Sequence, residues 1–328
     1  MPSKIEISHR TIIFTVFFLL LLWLLFQIRQ IILALFVAVV LMSALNPIVD
    51  RIQRKYFPRI LAIVLVYALI LASLILIVAS IIPPLVMQTG ILINQVPAHF
   101  QRMGILGIDL NSLVSQVPNL AEVPANILKF SLGLFSNLVG ILAIFLIAFY
   151  LLLERKDLQR HLIVLFGEGQ EKRAADFIDK AEKQLGGWVR GEIVLMTIIA
   201  VMTYFGLRIL GIEFALPLAL LAGVLEIVPN IGPILASVPA IIAGLAISPL
   251  MGLAVAALYF LIQQLENTLI VPKVMEKTAG VNPLVTILSL AVGFKLGGIV
   301  GAILAVPVVL LLQVVASEVF TSKRFQKL

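Results

Sequence analysis

Gly223-Val-Leu-Glu-Ile-Val-Pro-Asn-Ile-Gly-Pro233 lies in the middle of an apolar run, Leu216 to Ile247, and interrupts it. Pro229 has no N–H to give to a helical ladder and its ring clashes with the carbonyl four residues back; Gly232 and Pro233 reinforce the interruption. The flanking arms, Phe214 to Val228 and Ile234 to Ile247, each reach only about 22 Å at about 1.5 Å per residue, short of a hydrocarbon core about 30 Å thick. A single broken crossing is too long and two complete crossings are too short. The lengths predict two half-helices that meet inside the protein as a re-entrant hairpin. Irregular backbone at membrane depth is tolerated only where protein buries it or it lines a wet cavity, which makes this loop a candidate site.

A second stretch has the same design. Asn282-Pro283 opens an apolar run that Gly293-Phe-Lys-Leu-Gly-Gly298 interrupts and Ile299 to Val314 completes. With Pro239 set against Pro307, Ile234-Leu-Ala-Ser-Val-Pro-Ala-Ile-Ile aligns without gaps beside Ala302-Ile-Leu-Ala-Val-Pro-Val-Val-Leu, and Pro217-Leu218 answers Pro283-Leu284. Paired, Gly/Pro-interrupted apolar segments are the mark of an inverted-repeat transporter with its site at the breaks.

Composition sets the class. Of 328 residues, 61% are hydrophobic and 12% charged, where a soluble domain is near half apolar and a quarter charged. An all-α, polytopic membrane protein is predicted. The net charge of +7 gathers at helix ends rather than along a basic–aromatic groove, so the cations read as topology signals and no nucleic-acid partner is expected. Cysteine is absent, which excludes disulfides and thiolate chemistry, and His9, His99 and His161 lie far apart, so no metal site is expected.

In chain order, Thr11 to Phe26 and Ile31 to Val49 form a helical hairpin, and residues 1–82 make up the N-terminal spans. Four cations (Arg51, Arg54, Lys55, Arg59) in the ten residues 50–59 mark the cytoplasmic side. Ile60 to Ile82 is a span closed by Pro83-Pro84. Residues 83–130 hold only Arg102 and Lys129 as cations and read as an extracytoplasmic, amphipathic region. Residues 131–153 cross back. Residues 154–190, with eight Lys/Arg and seven Asp/Glu, form a cytoplasmic segment with a helix from Glu171 to Leu185. The transport core, 191–314, is a crossing plus a hairpin, taken twice with opposite polarity. The tail 315–328 is cytoplasmic, so both termini are.

Within that core Glu226 is the sharpest candidate, because a carboxylate in an apolar arm is costly unless it has a function or a partner. The structural alternative is an ion pair with Lys295, in the second break. Asn230, beside Pro229 in the loop, can donate and accept where the backbone is freed. Gln263, Glu266 and Asn267 fall at helical spacing on one face of the 250–271 span and either line a solute path or sit at the membrane interface. Gly232, Gly297 and Gly298 permit the turns, and Pro233 belongs to the first break. No metalloprotease, nucleophile-elbow or phosphate-loop motif is present, and no enzyme is expected. Without a nucleotide motif, transport is passive or coupled to a proton or sodium gradient, with no resident cofactor.

PPLVMQ at 83–88, EIVPNIGP at 226–233, QQLENTLIVPKV at 263–274 and NPLVTILSLAVGFKLGGIVGAILAVP at 282–307 resemble the autoinducer-2 exporter family of permeases. The resemblance implies eight membrane segments, a homo-oligomer (a pentamer), and export of a small polar solute such as autoinducer-2 across the cytoplasmic membrane. Sodium or lithium exchange for protons is the alternative it leaves, and a non-transporting scaffold is a third reading. Glu226 and Asn230 stand at the family's Pro-x-x-Gly-Pro hairpin, and Glu266-Asn267 match its Glu-Asn pair.

Overall fold

The computed structural model describes residues 9–55, 57–103, 138–158, 163, 171–275 and 283–321. Among them there are helices and no strand. We number the α-helices α1 (His9–Gln27), α2 (Arg29–Lys55), α3 (Arg59–Met103), α4 (Leu138–Glu154), α5 (Glu171–Ile209), α6 (Ala215–Leu225), α7 (Ile231–Ile247), α8 (Pro249–Leu265), α9 (Val271–Met275) and α10 (Pro283–Thr321). Six of the described segments are long and apolar enough to cross a membrane, while α6 and α7 are apolar but shorter. The amphipathic region beyond Met103 and the tail beyond Thr321 lie outside the described residues.

Two helices run past predicted boundaries. The apolar span of α3 ends with Pro83-Pro84, as expected, but its helix runs on to Met103. Each proline removes one ladder bond, and a helix in apolar surroundings survives that where neighbours hold it. The predicted helix at 171–185 and the crossing from 191 are one 39-residue helix, α5. Its Gly186 is not a break but a contact point: a Cβ there would come within 2.1 Å of the Ser43 carbonyl oxygen on α2.

Both apolar runs are interrupted near the expected breaks, with one refinement. The first interruption is confined to Glu226–Asn230, and Gly232 and Pro233 sit in the first turn of α7. Proline is tolerated there because that N–H has no helical acceptor to lose. Asn230 has a positive φ (65°, ψ −36°), at the centre of a tight turn that the Ile231 N–H closes on the Pro229 carbonyl (2.8 Å), and Asn accepts positive φ more readily than most residues. Leu218 and Ala222 of α6 then pack with Ala236 and Ala240 of α7. In α10 the break is at Gly297 (φ −138°) and Gly298 (φ 60°, ψ −143°). Gly293 and Gly301 touch backbone to backbone, which a continuous helix would hold about 12 Å apart.

Among the described residues, three apolar clusters of five or more buried side chains hold the bundle. Residues of α5, α6, α7 and α8 make the largest (Ile199, Leu207, Leu218, Val255, Ile262); α2, α3 and α4 make a second around Val49, Ile63 and Leu152. The third joins Val40 of α2 to Leu185 and Trp188 of α5 and Val306 and Leu310 of α10. α1 buries no residue and presents apolar side chains on every face, as a helix does when its surroundings are lipid.

At one end of the bundle the helices are tied by charge. Arg59 donates from Nη1 to Asp50 (2.7 Å), from Nη2 to Asn46 (3.0 Å) and from Nε to the Leu152 carbonyl (2.7 Å). Asn46 in turn donates to Glu182 (2.6 Å), and Arg155 pairs with Glu182 and Asp179. Burial works against the Arg155 charge, but hydrogen bonds to Glu182 and Asp179 and their field outweigh it and hold the guanidinium above its ordinary pKa. The network joins α2, α3, the turn after α4, and α5.

Candidate functional site

Glu226 ends α6 at the first residue of the break, and its side chain turns inward: it is 1% exposed. Glu266 stands where α8 gives way to a π-helical turn, Glu266–Ile270, and is also 1% exposed. The two carboxyl groups are within hydrogen-bonding reach of each other. Gln263, one turn back on α8, is close enough to act on Glu266, and its Nε2 is buried without an acceptor. These three predicted residues therefore meet, although 40 positions separate Glu226 from Glu266.

A third carboxyl joins them. Glu192, on α5, is 3% exposed, and its charge is felt by Glu226 as that of Glu266 is felt by Glu192. The sequence reading placed Glu192 at the start of a crossing and passed over it. A signal was available: Glu192, Leu195, Ile199, Thr203 and Leu207 recur on one face of α5, and all five are buried. Thr203 Oγ1 and Tyr259 Oη, in the contact between α5 and α8, are likewise buried and unpartnered, as is one oxygen of Glu226 and of Glu266 and both of Glu192. Tyr259 precedes Glu266 by seven residues, about 10 Å along the same face of α8. Polar atoms thus recur along the α5–α8 contact beyond the carboxyls.

Other expected members are elsewhere. Lys295 is not the counter-charge of Glu226: it is exposed, beyond the tight Gly293–Gly301 contact, and the charged groups acting on Glu226 are two further acids. Asn267 does not share the face of Glu266: it is the next residue along, about 100° around a helix, and it is exposed within the π turn. Gly297 and Gly298 form the turn of α10 and are exposed. Pro229 and Asn230 are half-buried in the loop just after Glu226, and Gly232 is held tightly, its position 1.8 Å from the Leu225 carbonyl oxygen if it bore a Cβ. Val228, in the same loop, packs on Leu290, Ala302 and Ala305, so the first break rests against both arms of α10. Among the described residues no group of three or more acidic or histidine side chains is disposed to hold a metal ion.

Long apolar helices enclosing a carboxyl group site define a multi-pass membrane protein with a polar interior. The chain is a member of the AI-2E family transporters, whose profile matches residues 12–320. It is 28% identical to the AI-2 transport protein TqsA of Escherichia coli (strain K12), over 88% of this chain and 84% of TqsA. Two Bacillus subtilis (strain 168) proteins described provisionally as transport proteins are similar: YrrI, 25% identical over 88% of this chain and 86% of its own, and YueF, 27% identical over 83% and 79%.

Proposed function

We propose that this transporter exports a small polar solute such as autoinducer-2 across the cytoplasmic membrane, with Glu192, Glu226, Gln263 and Glu266 as its binding and coupling groups. The observation that carries the reading is the Glu226–Glu266 contact at the first break. A hydrogen bond between two carboxyl groups needs one proton between them, so the pair can release or gain that proton as a solute hydroxyl or carbonyl replaces the partner. The E. coli relative's description supports the solute. The hairpins at 215–247 and 283–321 support a re-entrant, inverted-repeat core in which the first break packs on the arms of the second, and the basic residues at 51–59 and 155–190 support cytoplasmic termini.

The test is flux in proteoliposomes with a panel of small polyols and of sodium and lithium ions, with and without a pH gradient. Solute efflux that depends on the gradient is the expected result. Cation–proton exchange without solute flux would move the site to antiport, and no flux of either kind would leave a scaffold.

A further inference from the structure

A separate feature lies on the opposite face of α5. At the basic end of the bundle a cavity of about 540 Å³ is lined by Asn46, Asp50, Gln53, Arg59, Arg155 and Lys156, among others. A second, of about 240 Å³, shares Arg155 and Asp179 with it and adds Glu182, Lys183 and Arg190. Lys183 and Arg190 lie about 180° and 200° around α5 from Glu192, so these cavities and the carboxyl group site are divided by the helix.

We propose that the paired cavities bind a phosphate-bearing ligand. The three acids that line them, Asp50, Asp179 and Glu182, are each paired, Asp50 with Arg59 and the other two with the single Arg155, so the five lining cations exceed the acids by two. Lys156, Lys183 and Arg190 remain, and among the described residues none of them is in an ion pair; Arg190 spends its Nη1 on two main-chain carbonyls. Arg190 feels the Glu182 carboxylate and, less strongly, the Arg51 cation. The excess is positive and spread around a concave space, which suits the several oxygens of a phosphate better than the two of a carboxylate. The larger volume is within the range of small-molecule sites, about 300–1,000 Å³. The walls are held by the Arg59–Asn46–Glu182–Arg155 chain, so the space is preformed. The phosphate can belong to a free metabolite or to the headgroup of an acidic lipid.

The chain has no cysteine, so Gln53→Cys, in the wall of the larger cavity, provides a single reporter of occupancy. Its maleimide labelling rate is measured in nanodiscs, which leave both faces open. In phosphatidylcholine nanodiscs, millimolar inorganic phosphate is expected to slow labelling about fivefold, as for a dissociation constant near 1 mM. Protection that instead appears without added phosphate when phosphatidylglycerol is included assigns the site to a headgroup. Either protection should vanish in Lys156→Gln/Lys183→Gln, whose exposed side chains leave the fold intact. Equal labelling in all conditions, or equal protection by acetate at matched ionic strength, overturns the proposal. The readout does not involve flux, so its failure leaves the transport reading standing.

Discussion

Arg190 of α5 donates to the main-chain carbonyl of Ser43 in α2, at 3.3 Å. That carbonyl lacks a helical donor, because the residue four positions on is Pro47, inside α2. Arg190 also reaches the Ala44 carbonyl at 3.3 Å, and Gly186 brings α5 close enough for both bonds. A proline in one helix, a glycine in the other and an arginine beside it form a single joint between α2 and α5.

The joint predicts coupling between Pro47 and Arg190. Arg190→Met should destabilise by about 1.5–3 kcal/mol, the scale of a hydrogen bond to a charged group, since it orphans a buried carbonyl. Pro47→Ala supplies the missing N–H, so in that background the same change should cost less than half as much. Melting midpoints of the four proteins in one detergent check this. Equal losses in both backgrounds would mean that Arg190 acts elsewhere.

Glycines separate by contact. Gly186→Ala forces a methyl against the Ser43 carbonyl and should lower stability by about 1–3 kcal/mol. Gly140→Ala meets nothing within 4 Å and, inside α4, should be neutral or slightly stabilising. Thermal unfolding of the pair gives the comparison.

The two acids on Arg155 should differ in weight. The Asp179 side chain is 62% exposed and that of Glu182 10%. Asp179→Asn should cost no more than about 1 kcal/mol and less at high salt. Glu182→Gln removes the charge from the less exposed pair and should cost about 2–3 kcal/mol. Melting at low and high salt orders them, and a larger effect at Asp179 would contradict the network.

Transport should report the carboxyls. Glu226→Gln keeps shape and one hydrogen bond to Glu266 but removes an ionisable group. The variant is expected to fold and to lose the pH dependence of flux, with a fall of about tenfold in rate, equivalent to about 1.4 kcal/mol. Glu192→Gln should shift the pH profile without abolishing flux, because Glu192 acts on the pair through its charge. A Glu226→Gln protein whose profile matches the parent would remove Glu226 from the coupling mechanism.

Sidedness is open to labelling as well. A single cysteine at the exposed Lys172 should react with an impermeant maleimide only after the cytoplasmic face is opened. Reaction in intact cells would invert the topology.

The breaks were legible in the sequence because they act through local sterics. Pro229, followed by Asn230 and Gly232-Pro233, and the Gly297-Gly298 pair interrupt the helix through local sterics, where isolated prolines such as Pro47 and Pro239 do not. Glu226 was legible for the same kind of reason: a carboxylate in an apolar run must be accounted for. Which groups surround it was not. Glu192, Glu226 and Glu266 lie on three helices whose relative rotation is fixed by apolar packing among α5, α6, α7 and α8, and no spacing along the chain encodes that. The helical period put Gln263 and Asn267 on one face, yet Asn267, inside the five-residue π turn, is exposed while Glu266 is buried. Opposite charge suggested Lys295 for Glu226, yet the tight Gly293–Gly301 turn leaves Lys295 exposed and packing supplies two more acids. Composition and periodicity determined that this chain makes broken apolar helices; only tertiary contact decided which polar atoms they enclose, because burial, not sequence distance, selects the partners.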